Sequence, residues 1–258
     1  MDIGKIVFCT GANQGLGFAV LNVAGLRHPE NIYILASRDF IKGEEARTKL
    51  LESGIQAQVE VVQLDVTKDE EISSAVSYVE EKYGRLDVLI NNSGILRVPS
   101  PGGLSSIRST YNEILNTNLT SVAVMTAAFT PLLYKSKDPK VINVSSGLGS
   151  CQNSLTKKMG RVPPYGASKI GLNGLSVHLQ VAENDRVEEE GEEDKSRIRY
   201  YVCAPGALRT AFSKFKDGLR SPERGAEVIV HLLADDKHLY EGGSYWEYEE
   251  GEMRHVPW

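Results

Sequence analysis

Short apolar runs alternate with longer stretches of helical spacing along this chain. Ile6-Val7-Phe8 is a β-branched and aromatic run that passes directly into a glycine turn, and a helical pattern follows through Leu26. Ile32 to Ala36 is the next run, and charges at helical spacing over residues 42–53 stop at Gly54. Val59 to Leu64 reads as a strand, residues 68–83 as an amphipathic helix ended by Gly84, and Leu86 to Ile90 as a fourth strand. The pattern then predicts a long helix over 110–134, a strand at Val141-Ile142-Asn143-Val144 and a helix over about 164–184. A strand from Ile198 to Cys203 and a last helix over 222–234 close the series. Strands alternating with helices of this length imply right-handed crossovers and a parallel sheet covered on both faces. The predicted fold is therefore α/β, a doubly wound parallel sheet of about seven strands in one domain over residues 1–258. Residues 183–197 break the rhythm: eight of the fifteen are acidic, and a solvated loop is expected there.

Composition narrows the function classes. The 258 residues are 41% hydrophobic and 24% charged, as in an ordinary globular chain and unlike a disordered or collagen-like one. A formal net charge of −5 offers no basic field to hold nucleic acid. Cys9, Cys151 and Cys203 are too few for a disulfide framework and point to a reducing compartment, with Cys9 and Cys203 expected as buried filler in strands. No window reaches the ~18 uninterrupted apolar residues of a membrane span. No secretory signal precedes the first strand, so a cytoplasmic protein is expected. The five histidines are scattered, and no metal is expected.

The first candidate chemistry is a nucleotide cradle. Thr10-Gly11-Ala12-Asn13-Gln14-Gly15-Leu16-Gly17 follows the first strand and opens the first helix. Gly11 suits a sharp turn, Gly15 a close approach of backbone to phosphate, and Gly17 tight packing of helix on sheet. The helix N-terminus then faces a pyrophosphate with free N–H groups and partial positive charge. Asn13 either bonds the phosphate or holds the turn. Ser37-Arg38-Asp39 stands past the second strand, where a doubly wound fold reads the adenosine ribose. A cation there attracts a 2′-phosphate and an acid repels it, so Arg38 favours NADPH over NADH, while Asp39 would weaken that choice if turned inward. Asp65, beside Val66, either accepts from the adenine amino group or caps the next helix. Asn92 can tie neighbouring strands, and Ser93-Gly94 leaves room for a flat nucleotide.

The second is a proton-transfer centre. Tyr165 and Lys169 lie four residues apart at a helix start, on one face. An unperturbed phenol titrates near ~10, and a neighbouring ammonium is expected to draw it down. Ser145-Ser146 ends the fifth strand, where α/β sheets bind ligands. Asn118 falls inside the predicted long helix, a poor place for asparagine unless it has a role or faces solvent.

These residues carry a resemblance. T-G-x-x-x-G-L-G, N-N-S-G, N-x-N-L, V-S-S, Y-x-x-x-K and Pro205-Gly206 come in the order and spacing of the short-chain dehydrogenase/reductase family, over nearly the whole chain. Ser37-Arg38-Asp39, Gly84 to Leu89, Tyr165 to Gly171 and the tail ending in Trp258 most resemble the monomeric NADPH-dependent carbonyl reductases. The resemblance implies a Rossmann sheet and reduction of a small ketone or aldehyde to an alcohol by hydride transfer, with Tyr165 as proton donor. It implies a catalytic tetrad of Asn118, Ser146, Tyr165 and Lys169, with Ser146 chosen because the family's serine is usually the second of such a pair. It implies cofactor contacts from Gly11, Asn13, Gln14, Gly15, Leu16, Gly17, Arg38, Asp65, Val66, Asn92, Gly94, Tyr165, Lys169, Pro205, Gly206 and Thr210. Among these, Thr210 meets the nicotinamide carboxamide and Lys169 the nicotinamide ribose, and Asn118 holds a water that feeds protons to Lys169. Ser93 stands where the family usually has alanine. The nineteen-residue step from Ser146 to Tyr165 exceeds the common spacing yet is far shorter than the insertion of the monomeric carbonyl reductases. Substrate and oligomeric state (monomer, homodimer or homotetramer) therefore stay open. Residues 207–218, with Phe212 and Phe215, are expected as a lid, and Leu96, Leu148, Met159 and Val162 as pocket walls. The rival readings are an NAD-dependent alcohol dehydrogenase of the same family and a nucleotide-sensing regulator without catalysis.

Overall fold

The structure, a computed structural model, describes residues 4–157, 159, 161–190 and 196–258. Eight strands form one sheet: β1 (Ile6–Thr10), β2 (Ile32–Ser37), β3 (Gln58–Gln63), β4 (Val88–Asn91), β5 (Lys140–Val144), β6 (Arg199–Ala204), β7 (Tyr245–Glu249) and β8 (Glu252–His255). Their spatial order is β3-β2-β1-β4-β5-β6-β7-β8. The first seven run parallel, and β8 returns antiparallel on β7. The seven parallel strands match the expected count of about seven, and β8 is added at the edge. Four of the eleven residues of the hairpin Tyr245–His255 are Glu and they interrupt its aromatic residues, so it shows no long apolar run, and β8 is an edge strand with mostly exposed side chains.

Helices α1 (Gly15–Arg27), α2 (Phe40–Glu52) and α8 (Pro222–Leu233) contribute to the core on one face. Helices α3 (Asp69–Tyr83) and α5 (Ser121–Leu133) contribute to the core on the other. Within β1, Val7 and Cys9 enter the first core while Ile6 and Phe8 enter the second, the period-two alternation of a strand buried on both faces. Cys9 in β1 and Cys203 in β6 are fully buried and act as apolar filler. Among the described residues no helix is long and apolar enough to cross a membrane.

Two predicted elements change form. The long helix over 110–134 is two helices, α4 (Gly103–Leu115) and α5, joined by a five-residue π turn at Asn116–Thr120. Asn116, Thr117, Asn118 and Thr120 are weak helix formers, and such a widened turn frees a backbone register for side-chain bonds. The helix beginning at Pro163, α7, runs to Glu190 and takes in part of the acid-rich segment expected as a solvated loop. Glu183 is buried, accepts from the Ile198 N–H at 2.9 Å and pairs with Arg186 at 2.7 Å, so that acid pins the end of α7 to the start of β6. The remainder of that segment, residues 191–195, lies outside the described residues. A short helix, α6 (Cys151–Thr156), completes the set.

The sheet order reverses between β1 and β4, because β1 leads outward to β2 and β3 and the chain then returns to the other side of β1. In open α/β sheets the crevice outside the carboxyl ends at such a reversal is the ligand site. The glycine turn after β1, Asn92–Gly94 after β4 and Ser145–Ser146 after β5 all lie on that edge.

Candidate active site

Tyr165 and Lys169 occupy the first two turns of α7. Tyr165 is 7% exposed, and the Ser146 hydroxyl lies close enough to its phenol to act on it electrostatically. Ser146 also accepts the Leu148 N–H at 3.2 Å. Its neighbour Ser145 faces away and donates to Asn173 at 2.7 Å, so of the two serines Ser146 is the one beside the phenol. Lys169 is buried, lies 5.7 Å from the Tyr165 ring centroid and donates to the Val144 main-chain oxygen at 2.7 Å.

Asn118 sits in the π turn and is fully buried, which removes the reading of an exposed polar position. Its Oδ1 accepts the Ile95 N–H at 2.8 Å, and its Nδ2 donates to the Ile95 carbonyl at 2.9 Å and to Ser168 Oγ at 3.0 Å. One amide thus satisfies both polar groups of a peptide in the strand-end loop after Gly94. Gly94 opens onto the same spot: a Cβ there would stand 3.3 Å from Asn118 Oδ1 and 3.8 Å from Lys169 Nζ. Asn118 and Lys169 therefore meet beside Gly94 at the carboxyl edge, and Tyr165 lies next to Lys169.

Burial governs the electrostatics. It pushes the Tyr165 phenol up to about 12, with the nearby Ser146 hydroxyl opposing it in part. It brings the Lys169 ammonium down to about 8. The expectation that Lys169 draws the phenol below its ordinary value is not met, because removal from water disfavours the charged form of both groups and the ammonium proton is aimed at Val144, not at the phenolic oxygen.

The nucleotide end lies alongside. Gly11 and Gly15 hold φ of +64° and +58°, a region costly for other residues. At Gly17 a Cβ would come within 2.6 Å of Asn92 Nδ2 and 2.8 Å of Ala12 Cα, so α1 packs there as only glycine permits. At Gly15 it would meet nothing nearer than the Thr210 methyl at 3.5 Å, which leaves that side open. Gln14 caps α1 without a side-chain bond, and Asn13 beside it is half-buried. The first N–H groups of a helix have no intrahelical partner, so the open side and the helix start fit an anionic group. Leu16 packs on the core, Val66 is buried in the second core, and Pro205 is buried beside exposed Gly206. Asn92 donates its Nδ2 to the Thr10 carbonyl at 2.8 Å and so ties β4 to β1.

Arg38 is exposed at the end of β2. Asp39 caps α2, accepting the Lys42 N–H at 3.1 Å, so its carboxylate is engaged at the helix start. Asp65 does not cap α3, whose cap is Lys68; it accepts from the Thr67 N–H and hydroxyl at 3.0 and 2.7 Å. Burial pushes the Asp65 carboxyl up, but the Thr67 bonds and the charges of Arg38 and Lys68 leave it below its ordinary value. A cation is thus within electrostatic reach of the adenosine end of the cradle.

A family model described as short chain dehydrogenase matches residues 5–218. A short-chain dehydrogenase/reductase of Aspergillus fumigatus is 55% identical over 256 residues, covering 98% of this chain and 97% of that protein. The chain belongs to the short-chain dehydrogenase/reductase family. It is an oxidoreductase of that family, whose members bind NAD(P)(H) and act on small molecules. Among solved structures, an NADPH-bound carbonyl reductase from chicken fatty liver superposes with a TM-score of 0.74 at 22% identity, over 98% of this chain and 99% of that one. A 3-ketoacyl-(acyl-carrier-protein) reductase from Brucella melitensis complexed with NADH gives 0.75 at 20%, over 96% and 98%. Both share the Rossmann fold of this dehydrogenase/reductase.

Several residues that shape the site escaped the sequence reading. Asn91 donates to Asn143 at 2.9 Å and Asn143 to Ser176 at 2.9 Å, a buried polar line from β4 across β5 to α7. Asn173 donates to the Gly149 carbonyl at 2.9 Å and holds the loop after Ser146. The available signal was polarity at positions that strand and helix spacing assign to the interior. Phe212 meets the Tyr165 ring edge-on at 5.7 Å, and Met159 lies over Gly147, with a methyl 3.0 Å from where a Cβ would be. Phe215 is exposed and has no such contact with Tyr165.

Proposed function

We propose that this protein reduces a ketone or aldehyde to an alcohol with NADPH. The observation that carries the reading is the burial of Tyr165 beside Ser146, with Lys169 Nζ 5.7 Å from the Tyr165 ring centroid and 3.8 Å from where a Cβ on Gly94 would stand. A substrate carbonyl oxygen between the two hydroxyls receives two hydrogen bonds. The chemistry that a bound reduced nicotinamide would supply is the hydride for the carbonyl carbon. Ser146 stabilises the negative charge that develops on oxygen, and Tyr165 donates its proton to it. A phenol held neutral by burial is a donor throughout the physiological range. Lys169 returns a proton to Tyr165, with Asn118 holding the relay in place.

The glycine turn and the start of α1 would hold the pyrophosphate. Asp65, Val66 and Asn92 would line the adenine side. Lys169 would bond the nicotinamide ribose, and Pro205, Gly206 and Thr210 would border the carboxamide. Arg38 would hold the 2′-phosphate, and the engagement of Asp39 in capping α2 supports that preference.

The test is NADPH and NADH oxidation by purified protein with a panel of quinones, diketones and aromatic aldehydes. Tyr165→Phe is expected to lower turnover by a factor of about 100 or more while leaving NADPH binding nearly intact. Turnover retained in that variant, or a preference for NADH, would overturn the corresponding part of the proposal.

A further inference from the structure

Ser146 can receive a substrate oxygen only if its loop holds the hydroxyl at the right height, and that loop is bonded from the last strands as well as from Asn173. Tyr245, the first residue of β7, is 1% exposed and pairs with Val202 of β6. It donates its hydroxyl to the Ser146 main-chain oxygen, which also accepts the Gly149 N–H at 2.7 Å. The Ser145 and Asn173 side chains lie near the same hydroxyl and bond each other at 2.7 Å. Against the Tyr245 ring lies that of Trp258, with centroids 5.4 Å apart. The Trp258 main-chain oxygen accepts the Gln152 N–H at 3.1 Å and the Ser150 hydroxyl at 3.5 Å. One tail segment therefore grips the loop at Ser146 itself and again at the start of α6.

Packing alone does not call for a hydroxyl at this position. The Tyr245 ring sits in a small apolar cluster with Val202, Ala204 and Val256, which a phenylalanine would fill equally well. A buried phenol must bond something. The carbonyl it meets belongs to the residue proposed to hold the substrate oxygen. The loop has little slack, since a Cβ on Gly149 would come within 2.8 Å of Ser145 Oγ.

We propose that Tyr245 is a positioning residue for Ser146, and that the segment from β7 to Trp258 is the strap that sets the Ser146 hydroxyl against Tyr165. The proposal rests on the reading of Ser146 as the ligand of the substrate oxygen. Misplacement of a catalytic group by about 1 Å can cost about a hundredfold, so a partial relaxation is worth roughly tenfold. Tyr245→Phe, which keeps the ring and its stacking, is expected to lower kcat about tenfold with the KM for NADPH unchanged. In a Ser146→Ala background the same substitution is expected to cost nothing, because no hydroxyl remains to be aimed. Equal losses in both backgrounds, or full activity in the single variant, overturn the proposal. If the unaltered protein reduces no carbonyl compound with either cofactor, the functional reading falls instead. The positioning claim is then decided by amide hydrogen exchange at Leu148 and Gly149. Faster exchange in Tyr245→Phe with β6 unchanged supports it, and unchanged exchange at both amides overturns it.

Discussion

Replacing Asn118 by alanine tests whether the π turn exists to serve the site. The substitution removes three hydrogen bonds, two to the Ile95 peptide and one to Ser168. At a net worth of about 1 kcal/mol each, their loss costs roughly 3 kcal/mol. Ile95 is only half-buried, so water can partly re-satisfy its peptide; the cavity left by a fully buried side chain acts in the other direction. For a chain of this size the melting temperature should fall by about 6–12 °C, read by calorimetry or circular dichroism alongside urea unfolding. Asn118→Asp sharpens the test. An aspartate still accepts from the Ile95 N–H, but when ionised it cannot donate to the Ile95 carbonyl or to Ser168. Burial raises the folded-state pKa of such a carboxyl, so the variant's deficit should be least in acid and grow as pH rises through that raised value. A loss below about 1 kcal/mol for the alanine variant would refute the claim that this amide holds the turn to the loop after β4.

Three further outcomes follow from the site. The reductive kcat/KM should be level below pH about 8 and fall above it, as Lys169 loses the proton it passes on; a profile still rising above that pH would sink the relay. Gly17→Ala should cost about 1–3 kcal/mol in chemical denaturation, since its Cβ would press on Asn92 and Ala12, and unchanged stability would contradict that packing. Arg38→Ala should weaken NADPH binding about 10- to 100-fold, as expected for one charged hydrogen bond, while NADH titrations stay put; equal loss for both nucleotides would remove Arg38 from the 2′-phosphate.

The parallel sheet was legible because its strands are buried on both faces and so read as uninterrupted apolar runs such as Ile32 to Ala36. The β7–β8 hairpin was not, because its edge strand Glu252-Met253-Arg254-His255 has a single apolar residue and no run at all. The glycine turn was readable from spacing, since tight approach leaves no other residue that fits. Tyr165 and Lys169 were readable because helical spacing puts both on one face. The π turn was only half readable: poor helix formers marked Asn118 as unusual, but spacing alone cannot say that the helix widens there. What positions Ser146 was invisible, since the bond from Tyr245 spans 99 residues and no local pattern encodes it.

Burial also orders the proton affinities of the two groups in the proposed reaction. In open water a phenol and an ammonium have similar affinities for a proton, and neither would drive the other. In this site the same removal from water that keeps Tyr165 protonated up to about 12 makes Lys169 release its proton from about 8. The two groups are thereby split in order, so that a phenolate left after donation to substrate is the stronger base and Lys169 the stronger acid. Recharging Tyr165 is then downhill, and it runs from a group whose ammonium is anchored on Val144, one residue before the serine pair. Exposing either side chain would collapse that difference, which is why the closely packed loops at Gly94 and Gly149 belong to the chemistry as much as to the fold.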